Sequence, residues 1–311
     1  MKITFTSRNA LIRPILLVLV SFSFCFAQAS KFSDQNSESK KTVTRYLNKV
    51  SKIKGLENRV ETISEFFLGV LYELNPTGDG PRSDLDIAQI YNLKQMDCIT
   101  YIETVFALAN SKNYEDFLRQ THKIRYGNKT ASFQNRKHFF ESEWIVNLKS
   151  LDYISADYSS IDAPTSKLEG SIDRTAWLKN INIHNINRQN PKIKNLTNFY
   201  DQSIISEPPQ PFKFEYIAAK ELQSAALWEK LNGLYILAFI YKPDLTDTSS
   251  PKYSYVRHAG LFLNTSNNKS IFRSASALAK PGRVYDQNIV NYLSSVVTQK
   301  DFIGISFYKI N

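Results

Sequence analysis

The chain has 311 residues, of which 42% are hydrophobic and 22% charged, and its formal net charge at neutral pH is +10. This length and composition are sufficient for a folded core and exclude an intrinsically disordered chain. The positive charge is not arranged as a basic run interleaved with aromatic residues, so nucleic-acid binding is not predicted. It is compatible with general solubility or with attraction to anionic envelope polymers and lipid headgroups.

Residues 1–29 have the pattern of a secretory signal peptide. Lys2, Arg8 and Arg13 form a positive region, residues 15–26 are apolar or small, and residues 27–29 form a small-x-small cleavage pattern. The apolar run is shorter than the ~20 residues that a membrane span needs. We therefore expect an exported protein with no stable membrane span after cleavage; the alternative is an uncleaved anchor.

The elements of the first half are predicted to be mainly helical. Residues 30–41 are polar, and we expect them to be flexible. The apolar spacing of residues 42–71 predicts helix, and the glycine- and proline-rich residues 74–84 predict a loop. Two further helices are predicted at residues 98–110, with Asp97 as the N-cap, and at residues 114–124.

The second half changes character. Residues 150–211 lack clear periodicity, so we predict an irregular insertion of long loops and short elements. Short β-branched and aromatic segments follow, which predict an antiparallel sheet. Because helices precede strands, and no linker separates two domains, we expect residues 42–311 to form a single α+β domain. The predicted strands are 234–242, 258–264, 269–276 and 302–310.

Cys98 is the only cysteine outside the predicted signal peptide, so no intramolecular disulfide is possible in the mature chain. An unpaired thiol in an oxidising compartment is a liability unless it is inert or has a function. The unpaired N–H groups at a helix N-terminus favour the thiolate and stabilise an oxyanion. Two interpretations of Cys98 remain open, a nucleophile or a small hydrophobic residue of the core.

A nucleophilic cysteine needs a base, which is usually histidine. His122 lies in a predicted surface helix, His184 in an Asn-rich loop, and His138 in the segment NRKHFFESEW. His258 begins a predicted strand, and its two small neighbours allow another element to approach closely. A histidine on a sheet that faces the end of a buried helix is the papain-like arrangement. His258 is therefore the candidate base, and the alternative is a hydrogen-bonded strand residue.

Four ordered blocks resemble one known family. The segment MDCITYIETVFALA resembles the D-C-[VT]-T-[FY]-[VI]-E-x-V-x-A-L-A segment of bacterial proteins described as N-acetylmuramoyl-L-alanine amidase-like. That family, formerly a domain of unknown function, is grouped with the NlpC-type papain-like cysteine peptidases. The blocks LGVLYELNPTGDG, IRYGNKTASFQNRKHFFESEWIVN and RHAGLFL agree in order, as do the closing segments YDQNIVNYL and FIGISFYKI. The match extends over roughly residues 68–310.

The resemblance implies an α+β papain-like fold in which a buried helix carrying Cys98 packs on an antiparallel sheet carrying His258. Cys98 would be the nucleophile and His258 the general base. The third catalytic position, usually a His that accepts the Nδ1–H of the base, is occupied by Ser274. A serine hydroxyl is shorter and less polarising. Either the triad is Cys98–His258–Ser274 and slower, or a water or another side chain fills the gap, or activity is impaired.

The resemblance also implies a substrate cleft. Tyr72 would lie near the oxyanion region, unless it is a core aromatic residue. Arg136 would pair with a substrate carboxylate, Trp144 would pack on a sugar face, and His138 would line the same cleft. The alternative for these three residues is a structural cluster of arginine and aromatic side chains.

The implied activity is thiol-dependent hydrolysis of the amide between N-acetylmuramic acid and L-alanine in peptidoglycan fragments. The protein would be a bacterial periplasmic or secreted monomer that binds muropeptides. No cofactor or metal is expected, since one cysteine and scattered histidines lack zinc-ligand spacing. Two alternatives remain, a non-catalytic envelope binding protein with a degenerate cleft, and a cysteine peptidase or acyltransferase acting on another amide.

Overall fold

The computed structural model describes residues 37–80, 83, 86–156, 158–180, 207–242, 254–266 and 268–311. The predicted signal peptide lies outside the described residues. The chain divides into two units, residues 1–45 and 46–311. Residues 37–50 are helical (α1), and they include residues 37–41, for which the sequence predicts flexibility. In the described part of the chain, no helix is long and apolar enough to cross a membrane.

The helix predicted at residues 42–71 is interrupted. Its first part ends at residue 50, and α2 spans Leu56–Glu65. Gly55 precedes α2 with a φ of 82°, a left-handed conformation that glycine adopts without steric cost. The other described helices are α3 (Cys98–Ala109), α4 (Tyr114–Tyr126), α5 (Ile145–Ser150), α6 (Arg174–Asn180), α7 (Ala225–Lys230) and α8 (Ile289–Val296).

The described strands form one ten-stranded mixed sheet. They are β1 (Leu71–Tyr72), β2 (Gln95–Met96), β3 (Ile154–Ser155), β4 (Thr165–Ile172), β5 (Gln210–Ala218), β6 (Gly233–Tyr241), β7 (Val256–Asn264), β8 (Ile271–Ser276), β9 (Arg283–Asn288) and β10 (Phe302–Ile310). The strand order is β2-β1-β9-β8-β7-β6-β10-β5-β4, and β3 pairs with β10. The sheet is antiparallel along most of its width, but β1 and β2 are parallel. The predicted α+β class is confirmed.

The region predicted to be an irregular insertion contains a long antiparallel pair. β4 and β5 pair from Thr165 with Ile217 to Ile172 with Gln210. The side chains of Phe212 and Phe214 on β5 are buried in a small core cluster. The prediction of long loops is wrong for these strands, because β4 is an edge strand whose polar residues TSKLEGSI carry little apolar alternation. Residues 181–206 lie outside the described part.

The central helix α3 contacts β7 and β8. The side chains of Ile102, Val105 and Phe106 on α3 are fully buried. Leu237 and Phe239 of β6 belong to a further core cluster that includes residues of α7 and α8. The first turn of α3 is therefore held against the middle of the sheet, where the strand carrying His258 lies.

Candidate active site

Cys98 is the first residue of α3, and its side chain is half-buried. The carboxylate of Asp97 accepts a hydrogen bond from the backbone N–H of Thr100 at 2.8 Å. The hydroxyl of Thr100 accepts one from the backbone N–H of Asp97 at 2.9 Å. This reciprocal capping box confirms the predicted N-cap and fixes the position of the sulfur at the helix start.

Two cavities meet at Cys98 and His258. The larger has a volume of about 520 Å³ and the smaller about 210 Å³, and both side chains line both cavities. The backbone N–H of Ala259, the residue after His258, forms a hydrogen bond with the sulfur of Cys98. The sequence predicts that Cys98 and His258, which are 160 positions apart in the chain, lie close together. Their shared position on both cavities agrees with this prediction.

The imidazole of His258 is oriented by Ser274. Its Nε2 lies 3.2 Å from the Ser274 hydroxyl, which is fully buried on β8. The rings of Phe239 and Phe272 pack around the imidazole, each with its centroid 5.8 Å away. Ser274 thus occupies the expected third position, but the nitrogen that it contacts is Nε2 and not the expected Nδ1.

Gly260 allows Ser274 to approach the strand of His258. A Cβ atom added at Gly260 would lie 2.5 Å from the ring of Phe272 and 2.8 Å from the Cβ of Ser274. Contacts this short require the neighbouring side chains to move. Glycine at this position therefore keeps β7 and β8 close enough for the hydrogen bond between the imidazole and the hydroxyl.

The electrostatics of Cys98 differ from the sequence expectation. Burial, followed by the negative charge of Asp97, raises the pKa of the Cys98 thiol to about 12. The backbone N–H groups of Ala259, Ile99 and Cys98 lower this pKa, as a helix start should, but they do not outweigh burial. The helix start therefore favours the thiolate, as expected, but burial has the larger effect and leaves the thiol protonated.

The partner imidazole is also neutral at physiological pH. Burial lowers the pKa of His258 to about 4. A thiol with a raised pKa beside an imidazole with a lowered pKa is an uncharged pair at pH 7. In such a pair the imidazole has a free proton-accepting nitrogen, and the thiol loses its proton only when it attacks.

Tyr72 lies on β1 and lines the larger cavity. Burial raises the pKa of its phenol to about 12, and the neighbouring groups of Cys98 and Asp97 add to this effect. The phenol therefore remains protonated and can donate a hydrogen bond close to Cys98. Tyr72 thus shares a cavity with Cys98, and its role near the oxyanion stays a prediction.

Arg136 lines the larger cavity, but its guanidinium is already paired with carboxylates of the protein. It binds the carboxylates of Asp79 and Asp86, with nitrogen–oxygen distances of 2.7 Å in both ion pairs. The Asp79 carboxylate also accepts a hydrogen bond from Tyr126 at 2.8 Å. These contacts anchor the glycine-rich loop, so they favour the structural alternative for Arg136 over pairing with a substrate carboxylate.

His138 lines both cavities, and its ring is held by protein groups. Its Nε2 donates to the backbone carbonyl of Phe133 at 2.6 Å. Its ring packs against those of Phe133 and Trp177, at centroid distances of 4.5 and 4.7 Å. Burial lowers the pKa of His138 well below its usual value, so it is neutral.

Trp144 is only 1% exposed, although it contributes to the lining of the smaller cavity. Its indole N–H donates to Glu103 at 3.1 Å, and its ring packs against Phe140. The expectation of an open ring face for a sugar is therefore wrong. Glu103, which the sequence pattern did not indicate as a site residue, pairs through its carboxylate with Arg125 at 2.8 Å. A charged residue in an otherwise apolar helix was the available signal, because buried charges require partners.

Of the two remaining histidines, only His122 lies in the described part of the chain, and it does not extend the site. His122 lies on α4 and lines neither cavity. His184 lies outside the described residues. Within the described ranges, no group of three or more His, Cys, Asp or Glu side chains is placed to hold a metal ion.

Solved structures share this fold. A Legionella pneumophila protein of the DUF1460 family is 21% identical, with a TM-score of 0.76 over 88% of this chain and 95% of its own. An N-acetylmuramoyl-L-alanine amidase from Bacteroides uniformis is 17% identical, with a TM-score of 0.56 over 82% of this chain and 99% of its own. At these identities the likeness establishes the fold alone.

Comparison by sequence gives the family. No curated protein matches the chain. The model of the AmiA-like family, described as N-acetylmuramoyl-L-alanine amidase-like, matches residues 62–299. This range contains Cys98, His258 and Ser274 together with the cavities that they line. The chain belongs to the N-acetylmuramoyl-L-alanine amidase-like family.

Proposed function

We propose that the protein is a cysteine-dependent amidase that hydrolyses the bond between N-acetylmuramic acid and L-alanine in peptidoglycan fragments. One observation carries the proposal: Cys98, at the start of a buried helix, and His258, bonded to Ser274, line the same two cavities. The family description supports the substrate class. In this proposal residues 42–311 form one papain-like domain of NlpC type, exported after removal of residues 1–29.

The first step is attack by the sulfur of Cys98 on the amide carbonyl carbon. Because the thiol and the imidazole are both neutral at rest, we assign His258 as the general base that takes the thiol proton during attack. Ser274 contacts Nε2, so Nδ1 is the nitrogen that we assign to this transfer. The backbone N–H of Cys98 and the phenol of Tyr72 are the proposed oxyanion donors.

The second step completes hydrolysis. The imidazolium of His258 gives its proton to the leaving nitrogen of L-alanine as the carbon–nitrogen bond breaks. The N-acetylmuramoyl group stays on Cys98 as a thioester. His258 then accepts a proton from water, whose oxygen attacks the thioester carbon. The carbon–sulfur bond breaks to release the free acid, and the imidazolium returns its proton to the sulfur of Cys98. Atoms and charges balance without a further reactant.

The experiment is incubation of the protein with N-acetylmuramoyl-L-alanyl-D-glutamate, with mass spectrometry of the products. We expect release of the free dipeptide, and loss of this product in the Cys98→Ala and His258→Ala variants. Lys230→Ala, on an exposed side chain that lines neither cavity, serves as the surface control. Cleavage inside the dipeptide, or cleavage that survives Cys98→Ala, would contradict the proposal.

A second candidate is a binding protein of the envelope with a degenerate site. It is favoured by the serine at the third catalytic position and by the raised pKa of the Cys98 thiol. Calorimetry separates the two candidates. Binding of the muramoyl dipeptide without any turnover over days would support the binding protein and contradict the amidase.

A further inference from the structure

The strand that carries His258 contains a β-bulge directly before it. Phe239 of β6 pairs with His258, whereas the next residue, Ile240, pairs with Val256. Arg257 is therefore an extra residue without a partner across the ladder. Bulges bend a strand and redirect side chains, and they are frequent beside active sites.

The bulge brings Arg257 to the cavities of the candidate site. Successive residues of a regular strand point to opposite faces of the sheet. Arg257 and His258 are successive residues, yet both line the larger and the smaller cavity. Glu141 holds this part of the strand, because its carboxylate accepts hydrogen bonds from the Ser254 hydroxyl and the Val256 N–H, both at 2.7 Å.

The side chain of Arg257 is exposed but held in place. Its Nη2 donates to the backbone carbonyl of Lys242 at 2.6 Å. Its guanidinium lies over the ring of Tyr241, 4.8 Å from the centroid. These two contacts use only part of the five N–H donors of the guanidinium, so donors remain for a ligand.

Arg257 differs from the other arginines of the larger cavity. Arg125 is paired with Glu103, and Arg136 is paired with Asp79 and Asp86. Within the described part of the chain, no carboxylate forms an ion pair with Arg257. A prearranged cation beside the reacting groups, with no such counter-charge, fits an anionic group of a ligand.

We propose that Arg257 binds a carboxylate on the amine side of the scissile amide. The inference deepens the proposed function and rests on it. The muramoyl side offers no carboxylate, because its lactyl carboxyl is consumed in the amide. The substrate class is therefore a muramoyl peptide whose first residues carry an ionised carboxylate, in preference to one whose carboxyl groups are amidated.

The test compares N-acetylmuramoyl-L-alanyl-D-glutamate with the same compound carrying carboxamides at both carboxyl groups. We expect the wild-type kcat/KM to be ~10-fold or more higher for the carboxylate form, mainly through KM, because a charge-assisted hydrogen bond is lost in the carboxamide. Arg257→Gln should bring the ratio to within ~2-fold of unity, and Arg257→Lys should restore part of it. Arg119→Gln, on an exposed arginine of α4 outside both cavities, should keep the wild-type ratio.

A binding measurement separates this inference from the proposed function. Calorimetry on the Cys98→Ala variant, with and without Arg257→Gln, gives the affinity for both compounds when no cleavage occurs. A carboxylate preference that disappears with Arg257→Gln supports the role of Arg257, even if the wild-type protein cleaves neither compound and the amidase proposal fails. Equal affinities for the two compounds, or a preference that survives Arg257→Gln, overturn the inference.

Discussion

Ser274 is a positioning residue that acts through the proposed base, because its hydroxyl sets the orientation of the His258 imidazole. Its hydroxyl is fully buried and lies 3.2 Å from Nε2 of His258. Because Nδ1 is the nitrogen assigned to the proton transfer, Nε2 carries a hydrogen in both protonation states of the imidazole, and the hydroxyl accepts it in both. A serine therefore supports the neutral imidazole of the resting site and the imidazolium of the proposed intermediate.

We expect Ser274→Ala to lower kcat by about 5-fold with little change in KM, because one neutral hydrogen bond that orients the base is worth roughly 1 kcal/mol. Steady-state kinetics with the muramoyl dipeptide measure this effect. Ser306→Ala removes another buried serine hydroxyl, on β10 and outside both cavities, and should leave kcat unchanged. A kcat for Ser274→Ala equal to that of the wild type would contradict the orienting role.

The lowered pKa of His258 predicts the acid limit of the reaction. The folded site takes up a proton only near pH 4, below the usual pKa of about 6.5. The imidazole therefore remains a base between these values, and kcat/KM should fall on the acid side near pH 4. A pH profile of kcat/KM checks this prediction. A half-maximal value near pH 6.5 would mean that the imidazole is not shielded as the structure indicates.

The sequence predicts some residues of the site and misses others for physical reasons. Cys98 and His258 were predictable because a lone cysteine before an apolar helix and a histidine before small strand residues are local patterns. The guanidinium of Arg136 is paired with Asp79 and Asp86, which lie 57 and 50 positions away in the chain, so no local pattern indicates these ion pairs. Likewise, the position of Arg257 depends on a shift in pairing between β6 and β7, which no local pattern contains.

At the scale of elements, the first turn of α3 combines two opposing effects. Its free N–H groups lower the pKa of the Cys98 thiol, whereas the capping carboxylate of Asp97 raises it. The same carboxylate accepts a hydrogen bond from the Asn75 N–H at 3.1 Å and so joins the helix to the glycine-rich loop. Asp97 therefore stabilises the start of α3 and, through its charge, disfavours the thiolate of Cys98.

We expect Asp97→Asn to lower the pKa of the Cys98 thiol, because asparagine still caps the helix but carries no charge. The rate of alkylation by iodoacetamide, followed against pH, should rise at a lower pH than in the wild type. Asp173→Asn is the matched control, since Asp173 accepts a hydrogen bond from the first turn of α6 and lines neither cavity. An unchanged alkylation profile in Asp97→Asn would contradict the proposed effect of the carboxylate.

The elements also differ in how well their sequences predict them. The predicted strand at residues 302–310 has the same bounds as β10, because its apolar residues are buried in the centre of the sheet. The edge strand β4 was missed, since an edge strand needs little apolar alternation. The break before α2 depends on the single residue Gly55, whose neighbours continue the helical spacing.

At the scale of the whole molecule, a buried ion pair joins several parts of the site. Arg125 on α4 donates to Glu103 on α3 and to Thr77 in the glycine-rich loop, both at 2.8 Å. The indole of Trp144 donates to the other carboxylate oxygen of Glu103. Both charged side chains are less than 10% exposed. The pair thus holds one wall of the larger cavity, and breaking it leaves a buried charge.

We expect Glu103→Gln to lower the free energy of unfolding by roughly 3–5 kcal/mol, because the guanidinium of Arg125 then lacks a counter-charge. Urea denaturation measures the change. Asp162→Asn removes the carboxylate of an exposed ion pair with Lys230 and should change stability little. Similar losses of unfolding free energy in Glu103→Gln and Asp162→Asn would show that burial of an ion pair does not determine its contribution to stability.

The uncharged resting pair of Cys98 and His258 also has a consequence for the redox chemistry of the protein. Peroxides and disulfides react with a thiolate, so a thiol with a pKa of about 12 forms a sulfenic acid or a mixed disulfide slowly. The resting site, in which the thiol keeps its proton, thus protects an unpaired cysteine from oxidation.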